Sequence, residues 1–141
     1  MKTTKQNETD AMRGIPAEIV REAMRDPAIK GRVYLSSARR EPLIFEGRVV
    51  GFVSPHETKD GWRHGPIFVR DGYRGRGIVE AYYGAHPERV CVAFVADGNA
   101  SSRRMHLRAG FSDWKRHGKG WFMRREAITE AAQTNEATHA A

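Results

Sequence analysis

The feature that most constrains this chain is a glycine-rich segment, Asp71–Gly77, with the sequence DGYRGRG. A stretch with strand character ends before it at Val69, and a stretch with helical character starts after it at Ile78. Glycine lets the backbone approach a ligand closely, and a helix start adds unpaired N–H groups and partial positive charge. The segment therefore predicts a pyrophosphate cradle. It is neither a Walker loop nor a dinucleotide fingerprint, because the required Lys and third glycine are missing, so an ordinary glycine turn is the alternative.

Around this loop the apolar pattern predicts one α/β domain with a sheet of mixed direction. The first predicted helix has Ile19, Val20 and Met24 as its apolar positions. Gly65 and Pro66 inside one predicted strand indicate a bulge or an edge. The predicted helices cover 16–24, 78–86 and 99–109, the predicted strands cover 43–45, 48–53, 62–69, 89–95, 111–114 and 121–123, and 55–61 is a predicted loop. The domain is expected to span 13–126, with a disordered arm at 1–12 and a flexible or frayed helical tail at 127–141.

A second pattern lies downstream of the loop. The segment 99–111 reads NASSRRMHLRAGF, and its asparagine, second serine, histidine, glycine and phenylalanine fit Asn-x-x-[AS]-x-x-x-[YH]-x-x-x-Gly-Phe. The segment 69–79, VRDGYRGRGIV, is similar to a strand followed by Pro-Glu-Tyr-Arg-Gly-x-Gly-[IL]-Gly. Both patterns are those of the GNAT acetyltransferase superfamily, which the chain resembles over about residues 41 to 125.

The resemblance implies a fold, a cofactor and the residues that bind it. The fold would be a mixed, mostly antiparallel GNAT-like sheet with flanking helices, a reduced N-terminal region and two central strands that splay apart. Acetyl-CoA would be the acyl donor, with its pantetheine arm between the strand ending at Val69 and the strand Val90–Val95. Loop amides would hold its pyrophosphate. The residues that would bind CoA are Phe68, Val69, Arg70, Arg74, Gly75, Arg76, Gly77, Ile78, Val79, Asn99, Ser102 and Arg103; for Arg103, exposure to solvent is the alternative.

The resemblance also places His106 where the family often has a tyrosine that protonates the departing thiolate. A buried helix histidine without a role is the alternative. For the general base, His64 is the first candidate, because it precedes Val69 by a few residues and imidazole titrates near neutral pH. A histidine on the surface of a strand is the alternative there. The other candidates for the base are Asp60, Glu57 and His56.

The chain departs from the family pattern at three places. Val79 replaces the last small residue of the loop pattern, and Asp71 replaces its usual proline. The helix after the loop is short, since Pro87 ends it. These departures bear on the size of the acceptor and on affinity for CoA more than on the fold.

Charge and cysteine content restrict the partners. The net charge of +7, with 18 arginines and 6 lysines, favours anionic ligands, and a solvated basic surface is the alternative. Cys91 is the only cysteine, so neither an intramolecular disulfide nor a cysteine-based metal site is expected. The chain has no apolar run of roughly 18 residues and no apolar N-terminal segment, which predicts a cytoplasmic protein without a membrane partner, as a monomer or homodimer.

Three functions remain open from the sequence. The first is acetyl transfer from CoA to a primary amine of a small molecule. The second is transfer to a macromolecule, either nucleic acid, a modified base in it, or a protein amine. The third is a non-catalytic module that binds CoA or nucleic acid. Surplus arginines near predicted strand ends favour an acceptor amine beside a phosphate or carboxylate, if they share the face that opens onto the thiol: Arg39, Arg40, Arg63, Arg116, Arg124 and Arg125.

Overall fold

The computed structural model describes residues 14–27, 29 and 39–128, so the predicted arm 1–12 and the tail from residue 129 onward lie outside the described residues. The helices are α1 (Ala17–Arg25), α2 (Ile78–Gly84) and α3 (Ala100–Arg108). The strands are β1 (Glu41–Phe45), β2 (Arg48–Val53), β3 (His56–Thr58), β4 (Gly61–Arg63), β5 (Phe68–Val69), β6 (Cys91–Ala96), β7 (Ser112–His117) and β8 (Gly120–Arg125). The described residues form two compact units. One contains those up to His56 and Arg63–Ile78, and the other contains Glu57–Trp62 and those from Val79 onward.

In the first unit, α1 packs one apolar face into a small core. Pro16 precedes the helix with a φ of −57°, a conformation suited to a helix start. Ile19, Val20 and Ala23 are buried, whereas Met24, a predicted core position, is 41% exposed. The core cluster also includes Ile15, Ile29, Phe52 and Phe68. The helix therefore forms where the sequence predicts it, and Ala23 takes the buried position that was expected for Met24.

The sheet of this unit has the order β1-β2-β5, and both pairs are antiparallel. Glu46 and Gly47, both with positive φ, form the tight turn between β1 and β2 that the sequence predicts. Gly51 lies opposite Val69, and a Cβ on Gly51 would collide with the carbonyl oxygen of Phe68. Glycine at 51 therefore allows β5 to lie close against β2.

The predicted continuous strand 62–69 is wrong, because the structure divides it into β4 and β5. The Gly65–Pro66 peptide between them is cis, and proline has no N–H to donate to a ladder. The predicted loop 55–61 is also wrong, because it contains β3 and the start of β4. All three residues of β3 are polar and exposed, so no alternation of apolar residues reveals this strand. A hydrogen bond from the Thr58 hydroxyl to the Gly61 carbonyl (2.8 Å) closes the intervening turn.

The sheet that contains β6 has the order β3-β4-β6-β8-β7. Its β4–β6 pair is parallel and consists of one bridge, Trp62 to Cys91, whereas β6–β8 and β7–β8 are antiparallel. The final hairpin is longer than the predicted strands 111–114 and 121–123. β5 and β6, the strands predicted to splay, belong to different sheets, and the mixed, mostly antiparallel α/β class is confirmed.

Candidate cofactor and catalytic site

The glycine loop has a backbone that only glycine adopts easily. Gly72, Gly75 and Gly77 have φ values of 90°, 77° and 72°. A Cβ built on Gly72 or Gly75 would meet no atom within 4 Å, so packing is not what requires glycine at these two positions. The loop therefore has an open surface and the backbone freedom that a close-fitting anion needs.

Val69 presents its peptide groups on the side of β5 away from β2. The Arg70 amide donates to the Val50 carbonyl (2.8 Å), which makes Gly51 and Val69 a pair that is not hydrogen-bonded to each other. The N–H and C=O of Val69 consequently point to the opposite edge. Within the described part of the chain, β5 has β2 as its one strand partner.

Arg74 is exposed, but its guanidinium is bound by other groups of the protein. Its Nε donates to the Val69 carbonyl at 2.9 Å, and its Nη2 donates to Asp26 Oδ2 at 3.0 Å. Its guanidinium also lies 5.9 Å from the centre of the Phe68 ring. This predicted phosphate ligand thus occupies the carbonyl at the edge of β5.

The neighbouring arginines differ in their partners. Arg70 forms an ion pair with Glu22 at 3.0 Å. Arg76 is exposed, lies over the rings of Phe45 and Tyr73 at 5.6 and 5.8 Å, and forms no ion pair with a described residue. Of the three predicted arginines near β5, Arg76 is therefore the one available to an added anion.

Two acidic partners on α1 and just beyond it were missed by the sequence analysis. Glu22 and Asp26 are four residues apart, and they bind Arg70 and Arg74, which are also four residues apart. The acidic spacing is visible in the sequence. The pairing is not, because each carboxylate lies 48 residues from its arginine.

His106 in the other unit is buried, with 4% of its surface exposed. Its ring packs against Phe111 (4.9 Å between centroids) and Tyr83 (6.0 Å). Nδ1 lies 2.7 Å from the Ser102 carbonyl, which can only accept, so Nδ1 carries the proton. Nε2 is buried and has no hydrogen-bond partner among the described residues. Burial lowers the pKa of His106, against smaller opposing effects of the Ser102 hydrogen bond and Glu80. His106 is therefore neutral near pH 7, with a free lone pair on Nε2.

The start of α3 forms as predicted. The Asn99 side chain accepts a hydrogen bond from the Ser102 amide at 3.0 Å, which is an N-cap. The Ser102 hydroxyl lies 3.3 Å from His106 Nδ1. Arg103 makes two hydrogen bonds to Asp113, at 2.6 and 2.9 Å. Asn99 and Ser102 thus position the His106 ring, and Arg103 has a carboxylate partner rather than being free in solvent.

The candidates for the general base lie in two environments. His64 is 2% exposed, and its carbonyl accepts from the Ser54 amide at 2.9 Å. The alternative of a surface histidine on a strand is therefore wrong. The three other candidates, His56, Glu57 and Asp60, are all exposed.

Cys91 is buried, and burial raises the pKa of its thiol. A buried thiol with a raised pKa is a poor nucleophile. Cys91 therefore acts as a small apolar residue of the core.

Most of the surplus arginines are bound within the protein instead of being available to an anionic acceptor. Arg40 and Arg125 are buried. Arg116 makes two hydrogen bonds to Asp97, at 2.6 and 2.7 Å. Two more are paired with nearby carboxylates, Arg39 with Glu41 and Arg124 with Glu126. These five arginines are thus buried or paired within the chain, which removes most of the support that they gave to an anionic acceptor.

Residues 14–27, 29 and 39–128 contain no helix with the length and apolar character that a bilayer crossing requires. The same ranges contain no group of three or more His, Cys, Asp or Glu side chains arranged to hold a metal ion.

No model of a known protein family matches the sequence, and no curated protein matches it. Solved structures do match the fold. The ribosomal-protein-S18-alanine N-acetyltransferase from Escherichia coli is 16% identical, with 90% of each chain covered and a TM-score of 0.56. The IAA acetyltransferase from Bacillus cereus ATCC 14579 is 16% identical, with 79% of this chain and 92% of that one covered and a TM-score of 0.52.

A third similar structure contains a ligand. The PaiA N-acetyltransferase from Thermoplasma acidophilum, in complex with coenzyme A, is 12% identical, with 86% of each chain covered and a TM-score of 0.51. At these identities the likeness concerns the fold. The chain has the fold of the GNAT N-acetyltransferases.

Proposed function

We propose that this protein is an acetyl-CoA-dependent N-acyltransferase that transfers the acyl group to a primary amine of a small molecule. The observation that carries the proposal is the edge of β5, where the Val69 N–H and C=O point away from β2 immediately before the positive-φ glycine loop. A peptide edge followed by an anion-binding loop suits a ligand with amide groups and a pyrophosphate. CoA has both.

The residues of the first unit fit CoA in two respects. Gly75 leaves open space where a side chain would otherwise stand, and Arg76 has no competing carboxylate among the described residues. In the proposed complex the amides from Arg74 to Val79 hold the pyrophosphate. The Val69 N–H pairs with the pantetheine arm, and the Val69 carbonyl does so once the Arg74 side chain has left it. Bound acetyl-CoA would supply the thioester whose acyl carbon the amine attacks.

The direct test is a calorimetric titration with CoA, followed by assays of acetyl-CoA consumption with a panel of small amines. We expect binding and turnover with at least one amine. An absence of heat at millimolar CoA overturns CoA binding. CoA binding without turnover on small amines, peptides or nucleotides assigns the protein to the non-catalytic alternative.

Arg74 and Asp26 provide a sharper prediction about CoA affinity. CoA phosphates would compete with Asp26 for the Arg74 guanidinium, because Arg74 is bound to Asp26 in the free protein. We expect Asp26→Asn to tighten CoA binding by about two- to tenfold, because it removes an exposed ion pair of about 0.2–1 kcal/mol and a charge that repels phosphate. The measurement is the dissociation constant from calorimetry.

The matched control is Glu22→Gln. Glu22 lies four residues before Asp26 and forms the ion pair with Arg70. This variant changes the net charge equally but leaves Arg74 bound to Asp26. If both variants tighten CoA binding alike, the effect is general charge and not release of Arg74. If Asp26→Asn weakens binding, the ion pair positions the loop instead of competing with the ligand.

His106 is proposed to carry a proton. Acyl transfer removes a proton from the amine and requires one on the departing thiolate. The neutral ring has no proton on Nε2 to give at first, but Nε2 can take up the amine proton and then return it to the thiolate. The predicted general-acid role therefore requires prior uptake of a proton, which burial disfavours from bulk solvent.

We expect His106→Phe to lower kcat by about 10² or more, the usual contribution of a positioned acid or base, with little change in CoA affinity. The measurement is steady-state kinetics at saturating amine, with circular dichroism to confirm the fold. A kcat within about threefold of the wild type would contradict the role, since that is below the usual contribution of such a group.

A further inference from the structure

The sheet of the second unit has one buried face and one face that carries exposed rings. Residues paired across neighbouring strands lie on the same face of a sheet. The buried face holds Val95 and Met123, which are 4% and 0% exposed. The other face contains two cross-strand rows, Phe94–Phe122–Lys115 and Ala96–Gly120–His117.

The rings on this second face contact one another. Phe94 and Phe122 have centroids 5.2 Å apart, and His117 lies 6.2 Å from Phe94 and 5.5 Å from Phe122. Phe94 is 40% exposed, and His117 is exposed. Gly120 permits this cluster, because a Cβ there would collide with the Phe94 ring. Trp114 lies at the bulge of β7, and its ring is 5.2 Å from the guanidinium of Arg124, a residue in the register of this face. We call Phe94, Trp114, His117 and Phe122 the aromatic face.

Cations border the aromatic face. Lys115 Nζ lies 4.1 Å from the centre of the Trp114 ring, and the Arg124 guanidinium lies 5.2 Å from it. Lys115 is exposed and forms no ion pair with a described residue. Arg124 is paired with Glu126, at 3.3 Å.

The carboxylates of these strands lie elsewhere. Asp113 pairs across β8 with Met123, a residue of the buried face, and it is neutralised by Arg103. Asp97 is neutralised by its ion pair with Arg116. Arg116 lies opposite Trp121 in the β7–β8 ladder, which places it in the register of the buried face. The aromatic face thus combines contacting rings with cations, and Glu126 is the one carboxylate that the described residues show paired with those cations.

We infer that the aromatic face binds single-stranded nucleic acid. Unpaired bases stack on exposed rings, while their phosphates are neutralised by neighbouring cations, and a sheet surface with central aromatic residues presents both together. A duplex offers its phosphates but keeps its bases stacked inside, so the rings would add little to its binding. The inference does not depend on CoA, because it uses no residue of the glycine loop.

The test is fluorescence anisotropy with labelled oligo-dT and oligo-U of roughly 12 nucleotides, a length within the usual site size for such surfaces. A duplex and heparin serve as comparisons, without CoA and at low salt. We expect both single strands, or one of them, to bind more tightly than the duplex and heparin. Binding should weaken between about 50 and 200 mM salt, because phosphate contacts release counterions.

Phe94→Ala should weaken single-strand binding about tenfold or more, the expected loss of a stacking contact, with heparin binding unchanged. The control is Leu107→Ala, which removes an apolar side chain of similar exposure (47%) from α3. Circular dichroism checks that both variants fold. Lys115→Gln should reduce the salt dependence without removing the preference for single strands.

Three results would overturn the inference. One is an absence of binding to either single strand at low salt. Another is equal loss with Phe94→Ala and Leu107→Ala, or no loss with either. The third is a dimer, seen by sedimentation and lost in Phe94→Ala, without oligonucleotide binding, which would assign the face to a second copy. Since CoA titration is a separate measurement, failure here leaves the proposed acyltransferase function untouched.

Discussion

Replacing Gly75 by glutamate is expected to raise the dissociation constant for CoA by at least about hundredfold, equivalent to about 2.7 kcal/mol. The new carboxylate would stand in the open space where the pyrophosphate is proposed to bind, and like charges placed together cost several kcal/mol. The positive φ at this position, 77°, adds backbone strain to the repulsion. Calorimetry with CoA measures the effect.

Two controls separate charge from strain. Gly72→Glu adds the same side chain at a similarly positive φ of 90°, also into open space, but outside the predicted amide cradle from Arg74 to Val79. It should weaken CoA binding far less. Gly75→Ala adds the strain without the charge and should have an intermediate effect. Equal losses in the two glutamate variants would show that the loop is sensitive to strain in general and would count against the cradle at Gly75.

Arg125→Met is expected to lower the free energy of unfolding by about 3–5 kcal/mol, because it breaks a network of three hydrogen bonds around a buried side chain. Arg125 is 3% exposed, and its guanidinium donates to the carbonyls of Tyr83 (2.8 Å), His86 (2.7 Å) and Arg89 (2.9 Å). Methionine would fill similar space but leave these acceptors buried without a donor, at a cost of about 1–3 kcal/mol each. Unfolding in urea, followed by circular dichroism, measures the change.

The control for this prediction is the adjacent residue. Arg124→Met removes the same charge from the other side of β8, where Arg124 is 33% exposed and paired with Glu126. A partly exposed ion pair contributes about 0–1 kcal/mol, so little stability should be lost. If the two variants are equally stable, the carbonyl contacts of Arg125 contribute little. Since a small domain has a total stability of about 5–15 kcal/mol, the expected difference is easily resolved.

The sequence predicts the fold class and most elements because local signals are strong there. The Asn99 cap, the glycine loop and the buried strand β6 depend on short-range chemistry that reads directly from the residues. The division of strand 62–69 was anticipated only as a bulge or edge at Gly65 and Pro66. The β3 strand was missed, because an exposed polar strand has no apolar alternation.

The candidate site was predictable in position but less so in its electrostatics. The motifs locate Val69, the loop and His106 along the chain. They do not reveal that Arg74 binds Asp26, or that the Nδ1–H group of His106 donates a hydrogen bond to the Ser102 carbonyl. Nor can a count of arginines distinguish Arg125, which is buried and binds carbonyls at and after the end of α2, from an arginine on the surface. These properties depend on contacts between residues distant in sequence, or on burial, and neither follows from spacing.

The contact between Arg74 and the Val69 carbonyl also has a consequence for colloidal behaviour. An edge strand with free peptide groups is a template for strand addition by another chain, and long-lived edges of this kind promote aggregation. Here a cationic side chain covers the carbonyl that an incoming strand would need, while Asp26 holds that side chain in place. In the free protein the Arg74 guanidinium therefore hinders the addition of another strand to β5. The same group is the one for which a CoA phosphate would compete.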